Sequence, residues 1–229
     1  MDYFTTQTLT FLAQLRKNNS HEWFRAHKDK YENFVREPAL RLIANLEPAL
    51  KEASLHFVAS PKKVGGSLFR VMKDTRFEHT DGPYKPWIGM RFYHERAREV
   101  HSPGYYVHLE KGKSYMGGGV WRPDSKDLRK IREFILSNPQ AWLRARKAVS
   151  GQYNMGGAAS VRPPRGYDAS VLTDPLVQRD LLWKDFVWDV SIPDKVVTDA
   201  VALQHTLESN FKDLAPVMDY LCAALDLEY

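Results

Sequence analysis

The stretch GYYVHLEKGKSYMGGGVW, residues 104–121, alternates apolar residues with polar or small ones on both sides of a short polar turn. Alternation of period two is typical of strands that bury one face. The turn runs from Glu110 to Lys113 and carries Gly112 near its tip, and a connection this short joins antiparallel strands. The stretch therefore predicts a β-hairpin, with strands over 104–109 and 114–121.

The first strand of this hairpin has one apolar face and one polar face. Tyr105, Val107 and Leu109 share the face that we expect to pack in the core, and Tyr106 and His108 share the other. An imidazole that faces a pocket can give or take a proton near neutral pH. A partly buried histidine whose ring nitrogens are already hydrogen-bonded is the alternative, and the sequence leaves both readings of His108 open.

Segments with the residue pattern of strands also precede and follow the hairpin in the sequence. Further strands are predicted over 64–72, 87–94 and 183–190. Residues 150–169 are rich in Gly, Pro and Ala, a composition that favours a long loop.

Helical apolar spacing dominates the two ends of the chain, over 5–54 and 194–226. Asn19 is expected to cap a helix in the first region, and Pro216 to kink or break the helix in the second. Strands grouped between helical regions are typical of an α+β fold, so we predict a central antiparallel sheet packed by the N-terminal and C-terminal helices in a single domain over 1–229. The predicted segments are helical 5–54, strand-rich 64–121, helices and a long loop over 124–170, a late strand over 183–190, and a C-terminal helix over 194–226.

Composition excludes several classes of protein. The chain has 229 residues, of which 43% are hydrophobic and 27% charged, as in ordered globular proteins. Cys222 is the only cysteine, which excludes an internal disulfide and a multi-cysteine zinc site, and its place on an apolar helical stripe indicates a core thiol. No apolar run is long enough to span a membrane, and the N-terminus lacks the basic region of a signal peptide. We expect a cytoplasmic protein with no membrane partner.

No cofactor motif stands out. The glycines Gly117 to Gly119 lack the Lys-Ser/Thr ending of a phosphate-binding loop, and inside a strand they indicate a bulge, or the close approach of a backbone or a ligand. His94, His101 and His108 lack the close spacing and the nearby carboxylates of a metal centre. We expect no metal and no cofactor, and the sequence does not indicate an oligomeric state.

The net charge of +5 is concentrated in one part of the chain. Residues 61–98 contain nine basic and four acidic side chains, so this window carries the whole excess. Such clustering attracts phosphate, carboxylate or a nucleic-acid backbone. A solvated basic surface without a ligand is the alternative.

The segment from Leu68 to Lys85 has the residue types of an anion clamp. Asp74 could hold Arg70 or Arg76 in an ion pair and so fix a guanidinium for a ligand. A turn at Gly82-Pro83 would then bring Tyr84 and Lys85 to the same end. A structural ion-pair network is the alternative.

Several segments also resemble an uncharacterised family, domain of unknown function 2461. The motifs that resemble the family's are Phe11-Leu12 with Leu15, Asn18-Asn19 and Trp23-Phe24; Lys73-Asp74-Thr75-Arg76-Phe77 with Pro83-Tyr84-Lys85; Gly104-Tyr105-Tyr106-Val107-His108-Leu109; Gly117-Gly118-Gly119-Val120-Trp121; and Pro164-Arg165-Gly166-Tyr167-Asp168. Lys73 stands where the family pattern has Arg, and the loop 78–82 is less basic than its counterpart. The resemblance implies no established activity. It implies that eight residues gather at one site: Arg70, Asp74, Arg76, Tyr84, Lys85, His108, Trp121 and Arg165.

We therefore predict a basic pocket for a small anionic ligand bearing phosphate or carboxylate, and leave open whether the protein is an enzyme. The candidates for proton transfer or for orienting a charged group are His108, Tyr84 and Asp74. The candidates for ligand binding are Arg70, Arg76, Lys85, Trp121 and Arg165. The alternative function is a module that binds nucleic acid or an acidic protein partner.

Overall fold

The computed structural model describes residues 2–74, 82–97, 100–149, 151–157, 159–160 and 174–229. Within them lies a six-stranded antiparallel sheet with the order β1-β2-β3-β4-β6-β5. The strands are β1 (Phe57–Val58), β2 (Ile88–His94), β3 (Gly104–Leu109), β4 (Tyr115–Val120), β5 (Asn154–Gly156) and β6 (Phe186–Ser191). The predicted hairpin is β3–β4, in which His108 pairs with Tyr115 and Gly104 with Gly119.

Helices precede, interrupt and follow the sheet, so the α+β class is confirmed. They are α1 (Thr6–Lys17), α2 (His21–Ala26), α3 (Lys28–Tyr31), a π-helical turn (Glu32–Arg36), α4 (Glu37–Ala53), α5 (Ser125–Ser137), α6 (Pro139–Ala148), α7 (Pro175–Asp180), α8 (Asp194–Val197) and α9 (Ala200–Ala224). Among the described residues, no helix is both long and apolar enough to cross a membrane.

One face of the sheet packs against α9. Tyr105, Val107 and Leu109 of β3 are fully buried on this face, as the alternation predicts. Gly118 of β4 lies so close to the helix that a Cβ atom there would be 3.2 Å from Leu214 Cδ1 and 3.2 Å from Met218 Sδ. The missing side chain therefore brings α9 close to the centre of the sheet.

Several expectations about individual elements are wrong. Residues 64–72 do not form a strand. They make only the isolated bridges Leu68–Met90 and Met72–Tyr84 with the following segment. Gly65 explains this, because its φ of +69° turns the chain where a strand would continue. The predicted loop over 150–169 contains β5, and its residues 150, 158 and 161–169 lie outside the described residues.

The C-terminal region also differs from its prediction. It forms two helices rather than one, because the Asp199 side chain accepts a hydrogen bond from the Ala202 amide and starts α9 afresh. Pro216 lies inside α9 and does not end it. Leu214 and Val217, on either side of this proline, are fully buried, and the burial of this stripe offsets the lost backbone hydrogen bond.

Candidate functional site

The face of the sheet opposite α9 carries polar and aromatic side chains. We call it the polar face, and its defining residues are Arg91 of β2, Tyr106 and His108 of β3, Tyr115 of β4 and Asp189 of β6. Register brings them together, because Arg91 pairs with Tyr106 across β2–β3, and His108 pairs with Tyr115 across β3–β4. Side chains opposite one another on adjacent strands lie within contact distance.

His108 lies at the centre of a hydrogen-bonded chain on the polar face. Its Nδ1 atom is 3.1 Å from the Tyr106 hydroxyl, and its Nε2 atom is 3.2 Å from Glu110 Oε2. A carboxylate only accepts, so Nε2 carries the proton and Nδ1 accepts one from Tyr106. Arg16 of α1 holds the other Glu110 oxygen, Oε1, at 2.7 Å from its Nη2 atom. The chain Tyr106–His108–Glu110–Arg16, which we call the relay, fixes the imidazole in one tautomer.

Burial shifts the proton affinities within the relay in opposite directions. Desolvation lowers the pKa of His108 from its ordinary 6.5, with the Glu110 hydrogen bond and charge working against this effect. Desolvation raises the pKa of Tyr106, and the nearby Tyr115 adds to the increase. At neutral pH the imidazole is therefore neutral and the phenol is protonated. Such a pair can pass a proton between the ring nitrogen and a group beside the hydroxyl.

Aromatic rings surround the relay. The ring centroid of His108 is 4.8 Å from that of Trp87 and 4.9 Å from that of Tyr115, with the latter pair stacked. Gly89 makes this packing possible: a Cβ atom there would lie 2.6 Å from the Trp87 ring and 3.1 Å from the Tyr106 hydroxyl oxygen. Only glycine allows the two side chains to approach this closely.

Arg91 is the cation next to the relay. It is solvent-exposed, and a Cβ atom on Gly104 would be 3.4 Å from its Nε and 3.9 Å from its Nη2, so the guanidinium extends over β3. Desolvation nevertheless lowers the pKa of Arg91. Within the described part of the chain, its guanidinium makes no hydrogen bond and no ion pair with a protein group.

The segment before β2 brings some of the predicted clamp together. Arg70 Nη2 and Asp74 Oδ2 are 3.2 Å apart, so the predicted pair exists, although it is exposed and not part of a strand. Lys85 donates from Nζ to the Arg70 carbonyl at 3.0 Å. The same ammonium lies 5.4 Å from the ring centroids of both Phe69 and Trp87. Lys85 and His108 therefore contact the same indole ring.

Tyr84 has a different environment from the one that the sequence suggested. Its ring stacks on Phe24 with centroids 4.0 Å apart, and its hydroxyl is 3.0 Å from His21 Nδ1. The Asn19 side chain bonds both the amide and the carbonyl of Tyr84, at 2.9 and 2.8 Å. Asn19 does not cap α2, because Ser20 does so by accepting from the Trp23 amide. Tyr84 thus anchors its segment against α2, and its hydroxyl bonds His21 rather than the relay.

Trp121 follows the end of β4 that is remote from His108. Its side chain is 63% exposed, and the guanidinium carbon of Arg122 lies 4.6 Å from its ring centroid. Two further candidates, Arg76 and Arg165, lie outside the described residues.

A cavity of ≈ 490 Å³ opens beside Tyr115 at the hairpin end of the sheet. Its charged lining consists of Lys113, Asp189 and Asp194. Two carboxylates against one ammonium do not favour an anion there. The cationic part of the polar face lies instead around Arg91 and Lys85.

A family model described as "Conserved hypothetical protein (DUF2461)" matches residues 7–220. The chain belongs to the DUF2461 family. No curated protein and no solved structure matches it. Two of the motifs that carry the DUF2461 resemblance meet in the structure, because Asn19 of the Asn-Asn pair binds Tyr84 of the Pro-Tyr-Lys motif.

Arg91, Glu110 and Arg16 were not among the site residues predicted from the sequence. The sequence pattern could have predicted Glu110 as a site residue, because Glu110 continues the alternation that places Tyr106 and His108 on one face. The pattern is a weaker indication for Arg91, which is the central cation of the predicted strand 87–94. No pattern indicates Arg16, because only the packing of α1 against the hairpin end brings it to Glu110.

Proposed function

We propose that the polar face binds a small anionic ligand through Arg91, and that the relay beside it transfers a proton to or from that ligand. The observation that carries the proposal is the guanidinium of Arg91, which has no protein partner among the residues that the structure describes. This group loses part of its water and gains no partner from the described residues. Such a loss is unfavourable unless a ligand compensates for it. A phosphate or carboxylate does so with two parallel hydrogen bonds.

Other cations support the same assignment. Lys85 lies at the Trp87 side of the relay, and its ammonium donates to the carbonyl of Arg70, which pairs with Asp74. Arg76 and Arg165 stay predicted ligands of the anion. Together they would create a positive potential that increases the local concentration of an anion.

Tyr106 links the anion site to the relay, because Arg91 and Tyr106 are register partners. The Tyr106 hydroxyl lies beside Gly89 and the Arg91 guanidinium lies over Gly104, so the ligand would extend along the strands from the cation to the hydroxyl. As the ligand gives a proton to the Tyr106 oxygen, the hydroxyl proton passes to His108 Nδ1, and the Glu110 carboxylate offsets the charge of the imidazolium. This arrangement favours an enzyme over a passive binding protein.

The test is a thermal-shift panel on the wild type, Arg91→Ala and the control Arg129→Ala. Arg129 is a surface arginine of α5 with a side chain 71% exposed. The probes are inorganic phosphate, sugar phosphates, dicarboxylates and nucleotides. A ligand at about 100 times its Kd stabilises by ~2.7 kcal/mol, which raises Tm by roughly 5–11 °C for a chain of this size.

We expect at least one anion to raise the Tm of the wild type and of Arg129→Ala, and not of Arg91→Ala. Arg91→Lys should retain only part of the shift, because an ammonium keeps the charge and loses the bidentate geometry. Equal shifts in Arg91→Ala and wild type, or no shift with any anion, would contradict the proposal. A shift by short oligonucleotides alone that disappears at high salt would favour nucleic-acid binding.

A further inference from the structure

We propose that the anion bound at Arg91 is the phosphate of a nucleoside phosphate, and that its base stacks on Trp121. The inference rests on the proposed anion site and names the class of its ligand. Its second observation is independent of the charge: an exposed indole directly after β4, on a backbone that is held by hydrogen bonds.

The side chain of Trp121 is exposed, and the backbone that carries it is held by hydrogen bonds. Its carbonyl oxygen is 2.7 Å from His101 Nε2, and the following amide, of Arg122, donates to the buried Asp185 carboxylate at 2.5 Å. Arg122 has a φ of +51°, a left-handed conformation that is unfavourable for a residue with a side chain. Strain of this kind persists only where surrounding contacts enforce it, and it occurs preferentially at functional sites.

The strand register brings Trp121 near Arg91. Val120 is fully buried on the core face, so an extended backbone that continues one residue past β4 would direct Trp121 to the polar face. Gly119 pairs with Gly104, the residue over which the Arg91 guanidinium extends. If ordinary strand spacing and rise continue past the end of β4, the Cα atoms of Gly104 and Trp121 would be roughly 8 Å apart. Neither glycine has a side chain that would separate the cation from the indole.

The chemistry of the two groups fits a nucleotide. The Arg122 guanidinium covers one face of the indole, with its central carbon 4.6 Å from the ring centroid, and a ring that remains 63% exposed offers its other face to a planar group. Any of the bases can stack on such a ring, because each has a flat aromatic face. The sugar would span the glycines and direct the phosphate to Arg91. A dicarboxylate or a sugar phosphate would use Arg91 alone and leave Trp121 without a role.

The same chemistry is present in a free nucleotide and in one unit of a single strand. A free nucleotide would bind with its own affinity and little further gain from a longer chain. A strand would add backbone contacts to other cations of the basic window, and its affinity would fall steeply with salt. An oligonucleotide probe separates the two sources.

The experiment is isothermal titration calorimetry with the four nucleoside monophosphates, ribose 5-phosphate, inorganic phosphate and an eight-residue thymidine oligonucleotide. The proteins are the wild type, Trp121→Ala, Arg91→Ala and the control Val201→Ala, which truncates another exposed apolar side chain, 81% exposed. Because Trp121 is exposed, its replacement should leave the Tm unchanged within about 2 °C, in line with surface substitutions.

We expect at least one nucleoside monophosphate to bind about 5- to 150-fold more tightly than ribose 5-phosphate, the range given by one stacked base. Trp121→Ala should remove this gain and change the affinity for ribose 5-phosphate less than twofold, whereas Arg91→Ala should weaken both. Ligand-induced quenching of tryptophan fluorescence should be lost in Trp121→Ala and kept in Val201→Ala.

Two failures are distinguishable. If ribose 5-phosphate binds as tightly as every nucleotide, or if Trp121→Ala binds nucleotides like the wild type, the base site is refuted while the anion site at Arg91 stands. If no phosphate binds, or if Arg91→Ala binds them all unchanged, the proposed function fails and this inference fails with it.

Discussion

Burial and the Glu110 carboxylate shift the pKa of His108 in opposite directions. Burial is the larger effect, so the folded pKa lies below the ordinary 6.5. Between these two pKa values the unfolded chain holds a proton that the folded chain does not. His108 therefore reduces the free energy of unfolding as the pH falls through 6.5 towards the folded pKa, and its contribution stays constant below that value.

Glu110→Gln should lower the pKa of His108 further. The substitution keeps the size of the side chain and removes the negative charge and hydrogen bond that favour the imidazolium. Arg16→Ala should raise it, because the Arg16 charge disfavours protonation. Both shifts are measured by NMR titration of the imidazole nitrogens, with Lys212→Ala as a control far along α9. An unchanged His108 pKa in Glu110→Gln, or a proton on Nδ1 at neutral pH, would exclude the relay.

The elements of the fold are connected by a few side chains in loops, and Asn19 is one of them. It lies between α1 and α2 and hydrogen-bonds both backbone groups of Tyr84, as a neighbouring strand would. Gly82 fits against Asn19 so closely that a Cβ atom would be 2.6 Å from the Asn19 Cβ. This contact fixes the start of the segment that carries Lys85 and Trp87 to the polar face.

Asn19→Ala should lower the free energy of unfolding by about 1–3 kcal/mol, because it leaves two backbone groups of a buried residue without partners. Asn18→Ala is the matched control. The Asn18 side-chain amide donates to an exposed carbonyl of α1, that of Gln14, at 2.9 Å. Removing this hydrogen bond should lower the free energy of unfolding much less. Urea denaturation measures both, and amide exchange at Tyr84 and Lys85 should accelerate only in Asn19→Ala. Equal stability of the two variants would mean that the segment is held by its other contacts.

Sequence periodicity predicts elements best where burial is periodic. The β3–β4 hairpin and α9 follow from alternation and helical spacing, since each has a strongly buried face. β1 has only two residues, too few to show a period. The segment 64–72 has strand-forming residues, but tertiary contacts determine its irregular path, with Phe69 donating to Gly89 and Lys85 to Val71. The Arg70–Asp74 pair was predictable because its partners are close in sequence, whereas Arg16–Glu110 joins residues far apart in the chain.

At the scale of the whole molecule, the candidate site depends on most of the fold. The relay combines α1, β3 and the hairpin turn. The aromatic rings around it come from β4 and from the segment before β2, and the neighbouring cation, Arg91, comes from β2. These parts are all held by one core, in which α9 packs on the sheet and on α4. A change that destabilises this core should therefore also disorder the site. A measurement of how often the core opens should report on the stability of the core and of the site.

Cys222 provides a probe for that measurement. The thiol is fully buried in α9, and burial raises its pKa to about 12. Because the thiolate is the reactive form, a thiol reagent should modify the folded protein at least a hundredfold more slowly than the unfolded protein, and each chain should react once, since Cys222 is the only cysteine. If access needs global unfolding, the logarithm of the labelling rate should rise with urea with the slope of the equilibrium transition. Cys222→Ala supplies the blank. Rapid labelling without urea, or a rate independent of it, would mean that α9 opens locally and that the core does not hold the site as one unit.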